Sequence, residues 1–569
     1  MPASKQNACI FYNADGYDPA KGLNGRRMVG QSFLKGFFDH ADVEEYIAVL
    51  SSPNGRNKFA ELAQSHGVKK PARSILKDSA EELRRIGTTF IPTPNYELQC
   101  WERLHFGMES YSLCGLTHTI ASTAVMEGVH RLRASPQAEW DAIICTSRAV
   151  QTSMEYLFDS VDDFLIHRFG SVPPRPQLPV IPLGIYSRDF ERKPHARRAF
   201  RKKMQWTDDD IVITTVSRLS PYAKFDPLPL FIALQQAQQA LGSKKSLHFI
   251  ACGFYSEAHS QNVFEGGAAA LMPDVSYHFL DGKQPENRDT AYSSADMFIF
   301  PIDNVQESFG LSPIEAMAAG LPVIASDWDG LRDTVSPDVG IRVPTESSAN
   351  AHTNALAKHY QMSHINYAKY CTCLSAQTEI NIPRLVDAIV GLASNDTLRK
   401  KLGENAIKRV KNTYDWSVVI PQMQDVWANL AEIRARSASP TPQVSVVHPT
   451  APPPMAYLSK FPSQITSHDS LTCKAVNNNT LTVEEMYQLR RYKFAGHQYV
   501  GVKILSAVMD KIRTGGEDGL KIDTIATALN INRSSVENAY LWLLKYGFIA
   551  RVNTSSEQAT AIAAPPDPS

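Results

Sequence analysis

The chain has 569 residues, 43% hydrophobic and 20% charged, and its 58 Lys plus Arg are balanced by 58 Asp plus Glu. That neutrality argues against a generally basic nucleic-acid binder and against an acidic disordered chain. The length predicts about three to five domains. No apolar run approaches the roughly 18 residues that a spanning helix needs. The N-terminal MPASKQNACIFYNADG lacks a charged region followed by a long apolar core, so no secretory signal is expected. The cysteines at 9, 100, 114, 145, 252, 371, 373 and 473 are scattered, which fits a reducing, cytoplasmic compartment. Cys371-x-Cys373 has no second ligand pair nearby, so no metal site is expected.

In chain order, short apolar runs alternate with longer helical patterns. ACIFYN (8–13), YIAVLS (46–51), TTFIPT (88–93), YSLCGLT (111–117) and AIICTS (142–147) read as strands, and VIPLGIY (180–186) closes this half. The second half offers IVITTVS (211–217), SLHFIAC (246–252), VSYHFL (275–280), MFIFPI (297–302) and PVIAS (322–326). Near-continuous apolar runs suit strands buried on both faces. Helices between them imply right-handed crossovers and parallel sheets. The expected fold class is α/β, with two Rossmann-like domains, 1–186 and 187–415, facing a cleft where ligands bind beyond the carboxyl ends of the strands.

Residues 436–480 are rich in Pro, Ser and Thr and predict an extended linker, and 553–569 predicts a disordered tail. Between them, 481–552 predicts a small, mostly helical module with helices near 482–492, 498–512, 521–529 and 533–546 and a strand starting in FIARV. The module holds ten basic and seven acidic residues, a net of +3 that is weak for a DNA binder. Its outline resembles the winged-helix class. A protein-interaction or acceptor-positioning role is favoured over nucleic-acid binding.

The chemistry concentrates in 296–335. A strand runs into a loop holding Glu307, Ser308, Phe309 and Gly310, then a helix from about Leu311 to Ala319, ended by Gly320-Leu-Pro. Free backbone N–H groups and the helix dipole at Phe309-Gly310-Leu311 favour a phosphate or other anion. Glu307 before the helix and Glu315 within it could both reach a polyhydroxylated ligand. The same spacing also fits an ordinary βα unit with one capping and one solvated glutamate.

This segment resembles the donor-binding signature of retaining GT-B glycosyltransferases (glycosyltransferase family 4 type, glycosyl transferases group 1). Their pattern E-x-F-G-L-x-x-x-E-A-M-A-x-G-x-P-V-I-A-S is met nearly throughout from Glu307 to Ser326. The resemblance implies that Glu307 contacts hydroxyls of the donor sugar and Glu315 those of the nucleotide ribose. Ser308, Phe309, Gly310 and Leu311 would form the stretch that meets sugar and distal phosphate. Ser217-Arg218-Leu219-Ser-Pro-Tyr-Ala-Lys224 looks like the family's G-R-L-x-x-x-K-G segment, with Ser217 and Phe225 in place of glycines. Arg218 and Lys224 would neutralise the diphosphate as it leaves, which fixed cations must do when no metal supplies the charge.

Four further segments follow the family's order. Gly25 in LNGRRMVGQ resembles the second glycine of the G-G loop, with Asn24 for the first. Asp141-Ala-Ile-Ile-Cys-Thr-Ser147 resembles the strand ending in Ser before the domain crossover, and Pro182-Leu-Gly184-Ile-Tyr186 the hinge entry. Tyr414-Asp-Trp416-Ser and the following helix, 416–435, look like the closing helix that returns to the first domain. His118 lies after a strand and before a helix, and the resemblance implies a contact with the donor sugar near the reacting carbon.

The expected activity is transfer of a hexose-type sugar from a nucleotide-diphospho-sugar to a glycan, lipid or other acceptor. Retention of configuration is expected, without a metal and with no cofactor beyond the co-substrate. The alternatives are a nucleotide-sugar-binding regulator coupled to a DNA-binding winged helix, or another enzyme of the fold such as an epimerase. The expected partners are the nucleotide-sugar donor, a carbohydrate or lipid-linked acceptor, and a protein bound through 481–552. The basic run from Lys69 to Lys77, with Arg84 and Arg85, is a candidate for peripheral contact with anionic lipid.

Overall fold

Every residue of β2 (Tyr46–Leu50), β4 (Thr88–Ile91) and β5 (Ser112–Leu116) is buried, a pattern that requires cover on both faces of the sheet. The computed structural model describes residues 6–13, 17, 25–53, 55–437, 447–463, 471–477, 479–490 and 500–552. With β1 (Cys9–Phe11), β3 (Ala72–Leu76) and β6 (Ala142–Ile144), these strands form a six-stranded parallel sheet in the order β3-β2-β1-β4-β5-β6. A second parallel sheet follows: β7 (Ile211–Leu219), β8 (Leu247–Tyr255), β9 (Ser276–Asp281), β10 (Met297–Phe300), β11 (Val323–Ser326) and β12 (Gly340–Val343). Its order is β12-β11-β10-β7-β8-β9. The two orders are the same wiring, each a doubly wound sheet that reverses direction between its first and fourth strands. The fold is therefore α/β with two Rossmann-like halves.

Two expected features differ in detail. The strands β3 and β12 were not expected, and both lie at sheet edges, where half-exposed residues such as Arg73 and Arg342 interrupt the apolar run. The run 180–186 is not a sheet strand. It pairs only through single bridges, Val180 to Cys145 and Ile185 to Asp415, because it forms the crossing between the two halves.

That crossing runs beside the returning chain. The Ile185 amide donates to Tyr414 O at 2.8 Å and the Trp416 amide to Ile185 O at 3.1 Å. The Asp415 carboxylate accepts from the Ser187 amide and hydroxyl and caps the helix Trp416–Arg436 through the Ser417 amide. This helix lies against the first sheet. The ring of Trp427 sits about 6 Å from those of Phe37 and Phe90, and Arg434 donates to Gly87 O and Ser112 Oγ. Trp416, wholly buried at the crossing, fills a notch that exists because two residues lack side chains. A Cβ on Gly184 would lie 2.4 Å from its ring and one on Gly36 2.6 Å.

Between β12 and the helix Ile382–Ser394, the antiparallel strands β13 (Thr345–Ser347) and β14 (Thr378–Ile380) flank the helices Asn350–Gln361 and Tyr367–Ser375. All eight cysteines are free thiols.

The chain from Val447 onward forms a separate compact unit. Its three-stranded antiparallel sheet has β15 (Thr472–Ala475) between β16 (Leu520–Lys521) and β17 (Ile549–Arg551). Its longer described helices are Val483–Arg490, Val502–Arg513, Ile522–Leu529 and Arg533–Lys545, with Leu505, Ile512, Ile525, Tyr540 and Leu543 in the core. The strand β15 falls inside the segment expected as linker, so the boundary at 480 is too late. Four residues with Cys473 alone wholly buried are too short to show a period against the surrounding polar chain. The expected tail, 553–569, lies outside the described residues.

Candidate active site

In the second sheet the strand order reverses between β7 and β10, so the loops leaving their carboxyl ends diverge and open a crevice. Each loop delivers one charge to it. Lys224 comes from the loop after β7 and Glu307 from the loop after β10, and their side chains form an ion pair that is largely buried. The Lys224 ammonium also stands 5.2 Å from the centre of the Phe300 ring. Burial pushes the Glu307 carboxyl up, but Lys224 and the amides of Phe309 and Gly310 outweigh it and hold the group below the usual carboxylate range.

Gly310 precedes the helix Leu311–Ala318 with φ +83°, a conformation glycine adopts freely, and a Cβ there would lie 2.8 Å from Leu331. Gly310 has no side chain with which to cap the helix start, so the N–H groups there and the positive end of the dipole are left to a neighbouring acceptor. The Glu307 carboxylate stands before them, 3.5 Å from the Phe309 amide. Phe309 is buried, its ring 6.3 Å from that of Tyr414. Lys224, Glu307, Ser308, Phe309, Gly310 and Leu311 are thus assembled in one place.

The two loops are tied to each other. Asn304 Nδ2 donates to Tyr222 O at 2.7 Å and the Asp226 amide to Asp303 Oδ2 at 3.2 Å. Burial pushes the Asp303 carboxyl up to about 7; the amide of Asp226 opposes the rise and the charge of Asp226 adds to it. A carboxyl raised in the folded state favours folding below its ordinary range, and that contribution is lost as pH climbs towards 7. Asp303→Asn is therefore expected to gain on the wild type in melting midpoint from about pH 5 to about pH 7, with a constant difference above, in a pH series of thermal melts. A difference that does not change with pH would contradict this.

The remaining candidates are placed less directly. Glu315, on the same helix, accepts from the Tyr292 hydroxyl at 2.7 Å, and burial raises its carboxyl despite Tyr292, Arg288 and Lys224. Arg218 is exposed within the last residues of β7 and donates to Ala223 O at 3.2 Å, bracing the residue before Lys224. Gly25 opens the helix Gly25–His40, and the loop before it, 18–24, lies outside the described residues.

His118 follows β5 of the first sheet and sits on the seam between the halves. Its Nε2 donates to Pro92 O at 3.2 Å, and its backbone oxygen accepts from Ser308 Oγ at 2.7 Å. The seam continues through Ser147, whose hydroxyl lies 3.4 Å from both Ser308 O and Asp329 Oδ1. The Arg148 amide donates to Asp333 Oδ2 at 2.7 Å, so a carboxylate of the second half meets the start of the helix Arg148–Phe169. Thr123 Oγ1 and the Tyr360 hydroxyl meet at 2.9 Å. The space beside His118, lined by Phe33, Phe90, Leu116 and Trp416, amounts to about 20 Å³, room for about one water. Tyr292, Asp303 and Asp329 were not anticipated. Asp329 lies in a loop that follows a short strand, where its Asp-x-Asp spacing with Asp327 reads only as loop.

Three residues of the basic run expected to meet lipid are paired with acidic side chains. Arg73 pairs with Glu45 and Glu82 at 2.8 Å, Lys77 with Glu102 at 2.5 Å, and Arg85 with Glu45 and Glu82. Among the described residues no helix is long and apolar enough to cross a membrane, and no group of three or more His, Cys, Asp or Glu could hold a metal ion.

Residues 196–372 match the family model described as Glycosyl transferases group 1, a stretch that contains Arg218, Lys224, Glu307 and Glu315. The chain is 33% identical over 158 residues to the phosphatidyl-myo-inositol mannosyltransferase of Mycobacterium leprae, covering 27% of this chain and 32% of that protein. It is 22% identical over 319 residues to the D-inositol 3-phosphate glycosyltransferase of Corynebacterium efficiens, 55% of this chain and 65% of that protein. The match thus spans less than two thirds of either relative. A similar solved structure is that of Anabaena Alr3699/HepE in complex with UDP, with TM-score 0.47 and 15% identity over 74% of this chain and 100% of that one. Over residues 196–372 the chain thus matches the glycosyl transferases group 1 family.

Proposed function

We propose that this chain, with its glycosyl transferases group 1 segment, transfers a hexose-type sugar from a nucleotide-diphospho-sugar to a hydroxyl of a carbohydrate or lipid-linked acceptor. The observation that carries this reading is the largely buried Lys224–Glu307 pair at the strand-order reversal of the second sheet, directly before the start of the helix Leu311–Ala318. A diphosphate needs fixed positive charge, and Lys224 and the amides of Phe309 and Gly310 supply it where water is largely excluded. A sugar needs acceptors for its hydroxyls, and Glu307, held ionised, supplies them.

In this reading the incoming diphosphate takes over Lys224 and the helix amides, and Glu307 turns to the sugar. The bond between the anomeric carbon and the phosphate oxygen breaks as the acceptor oxygen bonds to that carbon on the same face. The acceptor's proton passes to the leaving phosphate, and configuration is retained. Arg218 braces the Lys224 loop and faces the departing charge. Glu315 meets the ribose, and His118 meets the sugar from the opposite half. No divalent metal takes part, because side-chain cations and backbone amides neutralise the leaving group.

A thermal-shift panel of hexose nucleotides on uridine, guanosine and adenosine diphosphates tests the reading, followed by donor-hydrolysis assays on the hits. At least one sugar nucleotide is expected to raise the melting midpoint, and Glu307→Gln is expected to lower turnover by at least about tenfold. No stabilisation by any of them, or wild-type turnover in Glu307→Gln, would overturn it.

A further inference from the structure

Four non-glycine residues among those described have a left-handed backbone: Gln205, Asp329, Ser363 and Asn530. Gln205, Ser363 and Asn530 each follow the end of a helix, where that conformation is the ordinary way to stop one. Asp329, at φ +39°, follows the strand β11 instead. There the conformation ends no helix and is retained at an energetic cost.

The position explains what is retained. Asp329 Oδ1 lies 3.4 Å from Ser147 Oγ, the residue that opens the helix Arg148–Phe169 of the first half. The same Ser147 hydroxyl lies 3.4 Å from the backbone oxygen of Ser308, the neighbour of Glu307. The Asp329 carboxyl therefore stands where the loops after β6, β10 and β11 converge, on the side facing the first half and within electrostatic reach of Glu307. Its charged surroundings are Glu307, paired with Lys224, and Asp333, which meets the Arg148 amide and guanidinium. Burial and then the Glu307 charge push the Asp329 carboxyl up to about 7, while Ser147 and the Gly330 amide oppose the rise.

We propose that Asp329 is a second sugar-facing carboxyl of the donor pocket and decides which hexose is accepted. A hexose offers each of its hydroxyls as both donor and acceptor. Glu307, ionised, can only accept. Two carboxyls that feel each other's charge do not both ionise as cheaply as one, so the second one keeps its proton more readily and adds an O–H donor to the acceptor oxygens of the first. Glu307 and Asp329 together then read a donor–acceptor pattern that neither reads alone. A hexose epimeric at one contacted hydroxyl leaves one of them without its partner, and buried polar groups left unpaired are the strongest source of discrimination. Because Ser147 belongs to the first half, this contact is complete only when the halves are together.

The inference rests on the reading under Proposed function, and calorimetric binding to the full-length chain separates the two. Wild type, Asp329→Gly and Asp329→Asn are titrated with hexose nucleotides and with the matching nucleoside diphosphates. Glycine and asparagine both tolerate the backbone conformation, so the variants are expected to fold. Asp329→Gly is expected to weaken the best hexose nucleotide by at least about tenfold and to compress the ranking among epimeric hexoses, with nucleoside diphosphate affinity unchanged within about twofold. Asp329→Asn, which keeps the shape and a donor, should retain part of the ranking. Sugar-nucleotide affinities and ranking unchanged in both variants would overturn this inference alone, and a raised melting midpoint beside them would mark Asp329 as purely structural. If no sugar nucleotide binds the wild-type chain, the proposed function falls and this inference with it.

Discussion

Lys224→Ala is expected to lower sugar transfer by about 10²–10³-fold, the cost typical of removing one preorganised group aimed at developing charge. Two losses add. The leaving diphosphate is deprived of the cation that the loop after β7 delivers, and Glu307 is left with burial acting on it and only the Phe309 and Gly310 amides opposing. Its carboxyl should then rise and bind a proton at a pH where the wild type has none. Breaking a buried pair from one side typically costs more than the pair contributes, and here, with both side chains partly exposed, the loss should reach up to about 3 kcal/mol. The double variant Lys224→Ala/Glu307→Gln separates the two effects. It should regain most of the stability and none of the activity, as read by chemical denaturation and donor turnover. Activity in Lys224→Ala within about threefold of wild type would remove the leaving-group role.

Trp416→Ala is expected to destabilise the body up to 446 by about 3–5 kcal/mol, the usual range for deleting a wholly buried tryptophan. The notch it fills cannot close readily, because Gly36 and Gly184 have no side chains to move inward. The indole N–H also leaves Ser32 Oγ, 2.8 Å away, without its donor, and the Phe33 ring loses an edge contact. Denaturant unfolding followed by the remaining tryptophans measures the loss, and Trp416→Phe should recover about half of it. A loss below about 1 kcal/mol would mean that the crossing is held by its backbone bonds alone.

The sequence was most legible where burial is two-sided. The central strands β1, β2, β4 and β5, and β7, β8, β10 and β11, are buried over most of their length and largely apolar, and were anticipated close to where they lie. The edge strands β3 and β12 were hidden by exposed or half-exposed residues, and β15 by its brevity inside a proline-rich stretch. The helix-start signature from Glu307 to Leu311 was legible because several demands coincide there: a turn only glycine makes easily, a buried phenylalanine and a carboxylate. The seam was not legible. Ser147, Ser308 and Asp329 are separated by up to 182 positions, and no local pattern records that a serine after one strand faces an aspartate after another.

In topological terms the second half is an insertion within the first. The chain leaves the first half at about 186 and returns at Trp416, and the two crossings lie side by side, joined through Ile185, Tyr414 and Trp416. Two adjacent crossings behave like a hinge pin: they permit a swing about one line and resist sliding and twisting across it. The Ser147, Ser308 and Asp329 contacts join the halves separately from the two crossings, through hydrogen bonds of 3.4 Å. Because the crossings lie side by side, a single cut in the backbone of the second half would not release it from the first. Both ends of the cut would remain tethered at the same place, one through 181–187 and the other through the helix bedded on the first sheet.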